Sequence, residues 1–158
     1  MFQIGDRVVY PMHGAGVIEA IEEKEILGQL RQYFVLRLPL KSMKVLLPVD
    51  NIECLGIRQI MTKEAFDEVF KVLQNEVFDL QTNWNRRYRA NMEKVKTGDI
   101  FEVATVVRDL IHIERAKGLS TGERKMLTNT KQILISEMIL ATDVDESEAD
   151  GLINAAVH

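Results

Sequence analysis

Three arginines fall within four residues, Arg86, Arg87 and Arg89, directly after the only tryptophan of the chain, Trp84. Guanidinium groups bind phosphate oxygens in a planar fork, and an indole stacks on bases or wedges between them. Lys94 and Lys96 follow. On a helix, Trp84, Tyr88, Met92 and Val95 share one side, while Arg86, Arg89 and Lys96 point away from it. Two readings stay open at this point. The aromatic stripe is core and the arginines a solvated face, or the tryptophan is an exposed wedge flanked by phosphate-binding cations. Its place in the first turn of the helix, where neighbours are fewest, favours the wedge. A second basic cluster, Lys117, Arg124 and Lys125, flanks Gly118-Leu119-Ser120, where free N–H groups of a helix start also suit a phosphate. Neutralising about four to six phosphates gives a slope of log K against log salt of roughly −4 to −5, enough to hold DNA delivered by a partner but not to search it unaided.

Residues of enzymatic type do not assemble in the same way. His13-Gly14-Ala15-Gly16 faintly resembles an oxyanion loop, but the four serines (42, 120, 136 and 147) lack a GxSxG context. Gly14-x-Gly16 also lacks the third glycine and the following helix of a dinucleotide site. A glycine-rich hairpin entry is the simpler reading. Cys54 has no partner for a disulfide and stands in no CxxC or Cys/His cluster, so no metal is expected, and it reads as a buried strand cysteine. No catalytic residues, cofactor or small-molecule substrate are expected; a small hydrolase using His13 is the remote alternative.

The elements that must carry these residues change character once. Up to residue 60 the pattern is strand-like: Val8–Tyr10, Val17–Glu22, Arg31–Leu38, Met43–Leu47 and a short fifth strand at Ile52–Leu55, with turns at Gly5-Asp6, Gly14 to Gly16 and Gly28. Turn signals every 8–12 residues indicate a small barrel or sandwich, too small to bury much core alone. From Thr62, a plausible cap, the period becomes helical, with Ala65, Phe66, Val69, Phe70 and Leu73 on one stripe. Further helices are predicted from Thr82 to about Lys96, from Asp99 to near Gly118, and from the Ser120-x-x-Glu123 capping box to about Ala141. A weak last one spans Asp150 to Val157, and Asp143 to Asp150 reads as a solvated acidic segment. The expected class is α+β in two domains, 1–58 and 62–158.

The net charge of −4 conceals a reversal. Residues 1–60 are neutral and 61–83 net −3, whereas 84–131 are net +5 and 132–158 net −6. The cationic block is centred on the tryptophan segment. The start, MFQIGDRVVYP, breaks any apolar run with Asp6 and Arg7, and no stretch nears the roughly 20 apolar residues of a membrane span, so a cytoplasmic location is expected.

Four segments in order resemble the CarD/CdnL family of bacterial transcription factors. They are Val8-Val9-Tyr10-Pro11-x-His13-Gly14, Asn83-Trp84-x-Arg86-Arg87-Tyr88, Val106-Val107-Arg108-Asp109-Leu110 and Gly118-Leu119-Ser120-x-Gly122-Glu123. The first part also resembles the polymerase-interaction domain of transcription-repair coupling factors, whose helicase motifs are absent here. The resemblance implies a Tudor/SH3-like β-barrel docking on the β subunit of RNA polymerase through a strand edge, then a compact all-α domain of four to five helices. It also implies that Trp84 is a wedge at the upstream edge of the melted promoter, with Arg86, Arg89 and Arg124 on the DNA backbone. Arg87 and Lys125 join this DNA-binding set. On the barrel it points to Lys24 and Leu46 as polymerase contacts, though Leu46 stands where the family has a basic residue. The expected role is stabilisation of the open promoter complex without sequence readout. The alternative is an adaptor whose basic face meets an acidic protein.

Overall fold

The computed structural model describes residues 2–77 and 83–158. Five strands come first: β1 (Arg7–Tyr10), β2 (Gly14–Ile26), β3 (Gln29–Leu38), β4 (Met43–Pro48) and β5 (Arg58–Gln59). They form one antiparallel sheet in the order β4-β3-β2-β1-β5. A register shift between Ile18 and Ala20 bends β2, as a bulge does. The sheet curls around a core of Val8, Ile18, Phe34, Leu36, Leu38, Leu47 and Ile52, drawn from four strands and the segment after them. Strand alternation splits neighbouring residues between two cores. Val8 faces the sheet's own core, whereas Val9 borders Val95, Val103 and Ile133 of the helical half.

Three sequence expectations fail in this half. Ile52–Leu55 is no strand: Val49–Leu55 is a 3₁₀ helix started by Pro48 and ended by Gly56 at φ 73°, and the fifth strand is Arg58–Gln59. Only Ile52 of that segment is buried, because the tight winding turns its neighbours outward. Cys54 therefore lies exposed rather than in a strand core. The β2–β3 hairpin is also longer than expected, running to Ile26 and turning at Leu27 and Gly28, both at positive φ.

The helical half comprises α1 (Ala65–Gln74), α2 (Trp84–Lys96), α3 (Ile100–Lys117), α4 (Thr121–Thr142) and α5 (Glu146–Ala156). Side-chain oxygens of Asn83, Asp99, Ser120 and Asp145 accept hydrogen bonds from the first turns of α2 to α5, fixing four starts by the same chemistry. Thr62 does this for Ala65. The predicted start of α2 at Thr82 lies outside the described residues. α3 is the central element, burying Val103, Ala104, Val106, Val107 and Leu110 against α1, α2 and α4. The acidic segment after residue 143 is not merely solvated. Asp145 caps α5, Glu146 and Glu148 sit in its first turn where the helix dipole favours anions, and Ala149, Ile153 and Ala156 enter the core. Arg115 finishes the helix by donating to the carbonyls of Asn154 and Val157.

The halves share a polar seam. The Ala15 N–H donates to Ser136 Oγ at 2.8 Å, and that hydroxyl donates onward to the Ile133 carbonyl. Arg7 donates to the Leu140 carbonyl. Glycine is required at Gly14, with φ +110° and Ser136 Oγ within 2.9 Å of where a β-carbon would sit. Thus Tyr10-Pro11-x-His13-Gly14 is a packing seam, not an oxyanion loop.

Candidate nucleic-acid interface

Trp84 is the first residue of α2, whose N-cap Asn83 accepts from the N–H groups of Asn85 and Arg86. The indole is 51% exposed. The stripe is therefore divided: Trp84 is exposed, while Tyr88 and Met92 pack against the helical core and Val95 lies within it. Arg86 and Arg89 are exposed, as the helical wheel requires.

Arg87 lies differently from Arg86 and Arg89. It is only 7% exposed, and its Nε and Nη2 each donate at 2.6 Å to the two carboxylate oxygens of Glu123, itself 1% exposed. Its guanidinium is turned into the fold, against the Glu123 carboxylate. The inward face of α2 is Arg87, Asn91 and Val95, rotated by roughly 60° from the Trp84–Tyr88–Met92 stripe at 100° per residue. Polar residues on the buried side disguised that face.

The second basic cluster surrounds the α3–α4 turn. Gly118 takes φ 82°, Leu119 is buried, and its N–H donates to Glu114 Oε2 at 2.9 Å. Ser120 Oγ then accepts from the Glu123 N–H at 3.3 Å. The capping box is half-formed, because the Glu123 carboxylate goes to Arg87. Lys117, Arg124 and Lys125 are all exposed. Arg124 is lightly held, with Nη2 3.3 Å from the Leu119 carbonyl and 3.9 Å from Glu114. A shallow groove of about 460 Å³ runs beside it, lined by Thr121, Arg124, Lys125, Thr128, Asn129 and Gln132. The Arg87–Glu123 pair thus brings the first turn of α2, with Trp84 and Arg86, to the first turn of α4, with Arg124 and Lys125. A cavity of about 730 Å³ lies elsewhere on α4 and is lined by Asp145, Glu146 and Asp150 against the single cation Lys131, a poor surface for phosphate.

On the sheet, Lys24 is exposed on the outer part of β2, 3.9 Å from Glu22. Leu46 is 39% exposed on β4, an edge strand, opposite Val35, which also pairs with Ala20. Lys24 therefore lies four residues along β2 from the level of Leu46, about 13 Å at the strand rise. The two do not touch. The sequence reading missed the apolar surface between and beyond them: Ile26, Leu27, Leu30 and Met43 are exposed, Leu27 at 99%. The turn-forming pair Leu27-Gly28 was the available signal. His13 lies beside Tyr10, with ring centroids 4.3 Å apart and the planes tilted by 31°. Among the described residues, no group of three His, Cys, Asp or Glu is placed to hold a metal. Nor is any helix there long and apolar enough to cross a membrane.

Residues 2–61 match the family described as CarD-like/TRCF RID domain, and residues 68–154 match the CarD C-terminal domain. A Bacillus subtilis (strain 168) protein named as a candidate transcription factor, YdeB, is 43% identical over 148 residues, 94% of this chain and 97% of that one. The chain belongs to the CarD family. Among solved structures, the solution NMR structure of the 72-residue N-terminal domain of Myxococcus xanthus CarD is 32% identical, with a TM-score of 0.33, and covers 37% of this chain and 79% of that chain. Membership of the CarD family makes the chain a transcription regulator with two parts, a strand half of the kind that interacts with RNA polymerase and a helical half.

Proposed function

We propose that this CarD-family chain binds the β subunit of RNA polymerase through residues 1–58 and stabilises the open promoter complex through residues 62–158. The observation that carries this reading is Trp84. A helix start that leaves its indole half in solvent, flanked by cations, is costly in apolar exposure unless something covers it. Partly unstacked bases at the upstream edge of a melted promoter are such a cover, and an aromatic wedge offsets unstacking of a few kcal/mol. Arg86, Arg89, Arg124 and Lys125, with Lys117, supply backbone contacts. About four to five neutralised phosphates give a salt slope of roughly −4. Such binding is weak alone, so the polymerase tether is part of the mechanism. A preference of about 1.4 kcal/mol for open over closed complex raises the open population about tenfold.

No base-edge contact is needed, so the effect is independent of sequence, and the site of action is the nucleoid of the cytoplasm. The edge strand β4 with Leu46, and Lys24 on β2, form the polymerase side, where strand addition supplies main-chain hydrogen bonds. The test places photo-crosslinkers at positions 84, 86 and 89 in complexes of purified polymerase, promoter and this protein. Crosslinks to the upstream bubble edge are expected, with the protein co-purifying with the β subunit and losing that association on Lys24→Glu with Leu46→Glu. Crosslinks to an acidic protein instead of DNA contradict the reading.

A further inference from the structure

Glu123 places a carboxylate within one residue of Arg124 and two of Lys125, buried beneath a surface read as meeting phosphate. Left alone, that charge would repel DNA and suffer in a buried site. It is met by Arg87 in a two-pronged pair, both distances 2.6 Å, with both side chains buried. The geometry comes at the expense of a local bond. Glu123 is the third residue of α4, where a capping-box glutamate reaches back to the Ser120 N–H, yet its carboxylate turns across to another helix.

The pair also sets the bearing of α2. Holding Arg87 inward places Trp84 roughly 60° round the helix, at the rim of the buried face. The same rotation sends Arg86 to the side and Arg89 outward, which matches their exposure. We propose that Arg87 and Glu123 form a positioning pair. Arg87 neutralises Glu123 within the basic face and locks the first turns of α2 and α4 together, so that Trp84 and Arg86 stand in register with Arg124 and Lys125; it does not itself touch DNA. This inference rests on the DNA-contacting role proposed above for the same surface.

The experiment measures open-complex lifetime with purified polymerase across a salt series, alongside thermal melting of each variant. Arg87→Met, which leaves Glu123 uncompensated, is expected to shorten the lifetime on the order of tenfold, the scale of one unpaired charge near a phosphate. Arg87→Met with Glu123→Met removes both charges and is expected to return the lifetime to within about twofold of wild type, with an unchanged salt slope. The exchange Arg87→Glu with Glu123→Arg, a second test should the apolar pair pack poorly, is expected to do the same. Folded double variants that stay short-lived, with a slope smaller by about 0.9, would show Arg87 to be a direct phosphate contact. That overturns the pair while leaving the DNA reading intact. Trp84→Ala is the reference arm. If it keeps the wild-type lifetime, the DNA reading itself falls and the pair's role falls with it.

Discussion

Arg58, on the short edge strand β5, grips Glu137 of α4 with both prongs of its guanidinium, at 2.9 and 2.8 Å, and Glu137 is only 2% exposed. The same carboxylate accepts from the Met61 N–H, and Arg58 Nε donates to the Gly98 carbonyl. One ion pair therefore ties the sheet, the connection to α1 and the α2–α3 turn to the longest helix. The placement of the sheet relative to Trp84 depends on this seam.

Removing one partner leaves a buried charge. Arg58→Ala is expected to destabilise the protein by about 3–5 kcal/mol in urea denaturation. Arg31→Ala, which breaks an exposed pair with Asp50 at 2.9 Å, is expected to cost at most about 1 kcal/mol. Equal losses would mean that the seam pair is no more than a surface contact.

The glycines divide sharply by environment. Gly98 has φ +72° and would set a β-carbon 2.8 Å from Pro11 Cγ, so Gly98→Ala should lower stability by about 1–3 kcal/mol. Gly122, inside the first turn of α4 with nothing within 4 Å, should gain about 0.5–1 kcal/mol on Gly122→Ala. Melting temperatures of the two variants must move in opposite directions.

How far the sequence spoke depended on whether pattern and environment agreed. For α3, the cap Asp99 and the apolar spacing of Val103, Val106, Val107 and Leu110 pointed the same way, and the structure follows them. At α2 they parted, because its buried face includes Arg87 and Asn91, and a distant Glu123 helps to make the inward arginine tolerable. The partner lies 36 residues away, beyond the reach of any local period. Ile52–Leu55 failed for another reason, since a 3₁₀ turn after Pro48 uses the same residue types as a short strand. The acidic start of α5 looked like a solvated tail until its cap and first turn were seen to suit anions. Trp84 and the exposed cations Arg86, Arg89, Arg124 and Lys125 were legible as a group. The pair that holds their two helices together was not.

The exposed Cys54 makes a simple chemical check on the 3₁₀ segment. A thiol reagent such as Ellman's should modify the folded protein stoichiometrically without denaturant. Protection until unfolding would return the cysteine to a strand core.

His13 links stability to acidity. Partial burial, and secondarily Lys41, lowers its pKa below the ordinary 6.5. The folded state thus binds its proton less readily than the unfolded chain, so the contribution is present above about pH 6.5 and is lost as pH falls through the lower folded value. Urea midpoints should decline over that range, and His13→Gln should flatten part of the decline. A steeper decline in the variant would reverse the assigned sign.

The central claim is that an exposed indole on a tethered helix holds melted DNA open. Its most direct measurement is the lifetime of open complexes formed by purified polymerase on a promoter, challenged with competitor, with wild-type protein and with Trp84→Ala. Wild type should lengthen that lifetime, and Trp84→Ala should lose most of the gain, on the order of tenfold, while keeping its affinity for polymerase. A Trp84→Ala protein that binds polymerase and prolongs open complexes as well as wild type would contradict the account.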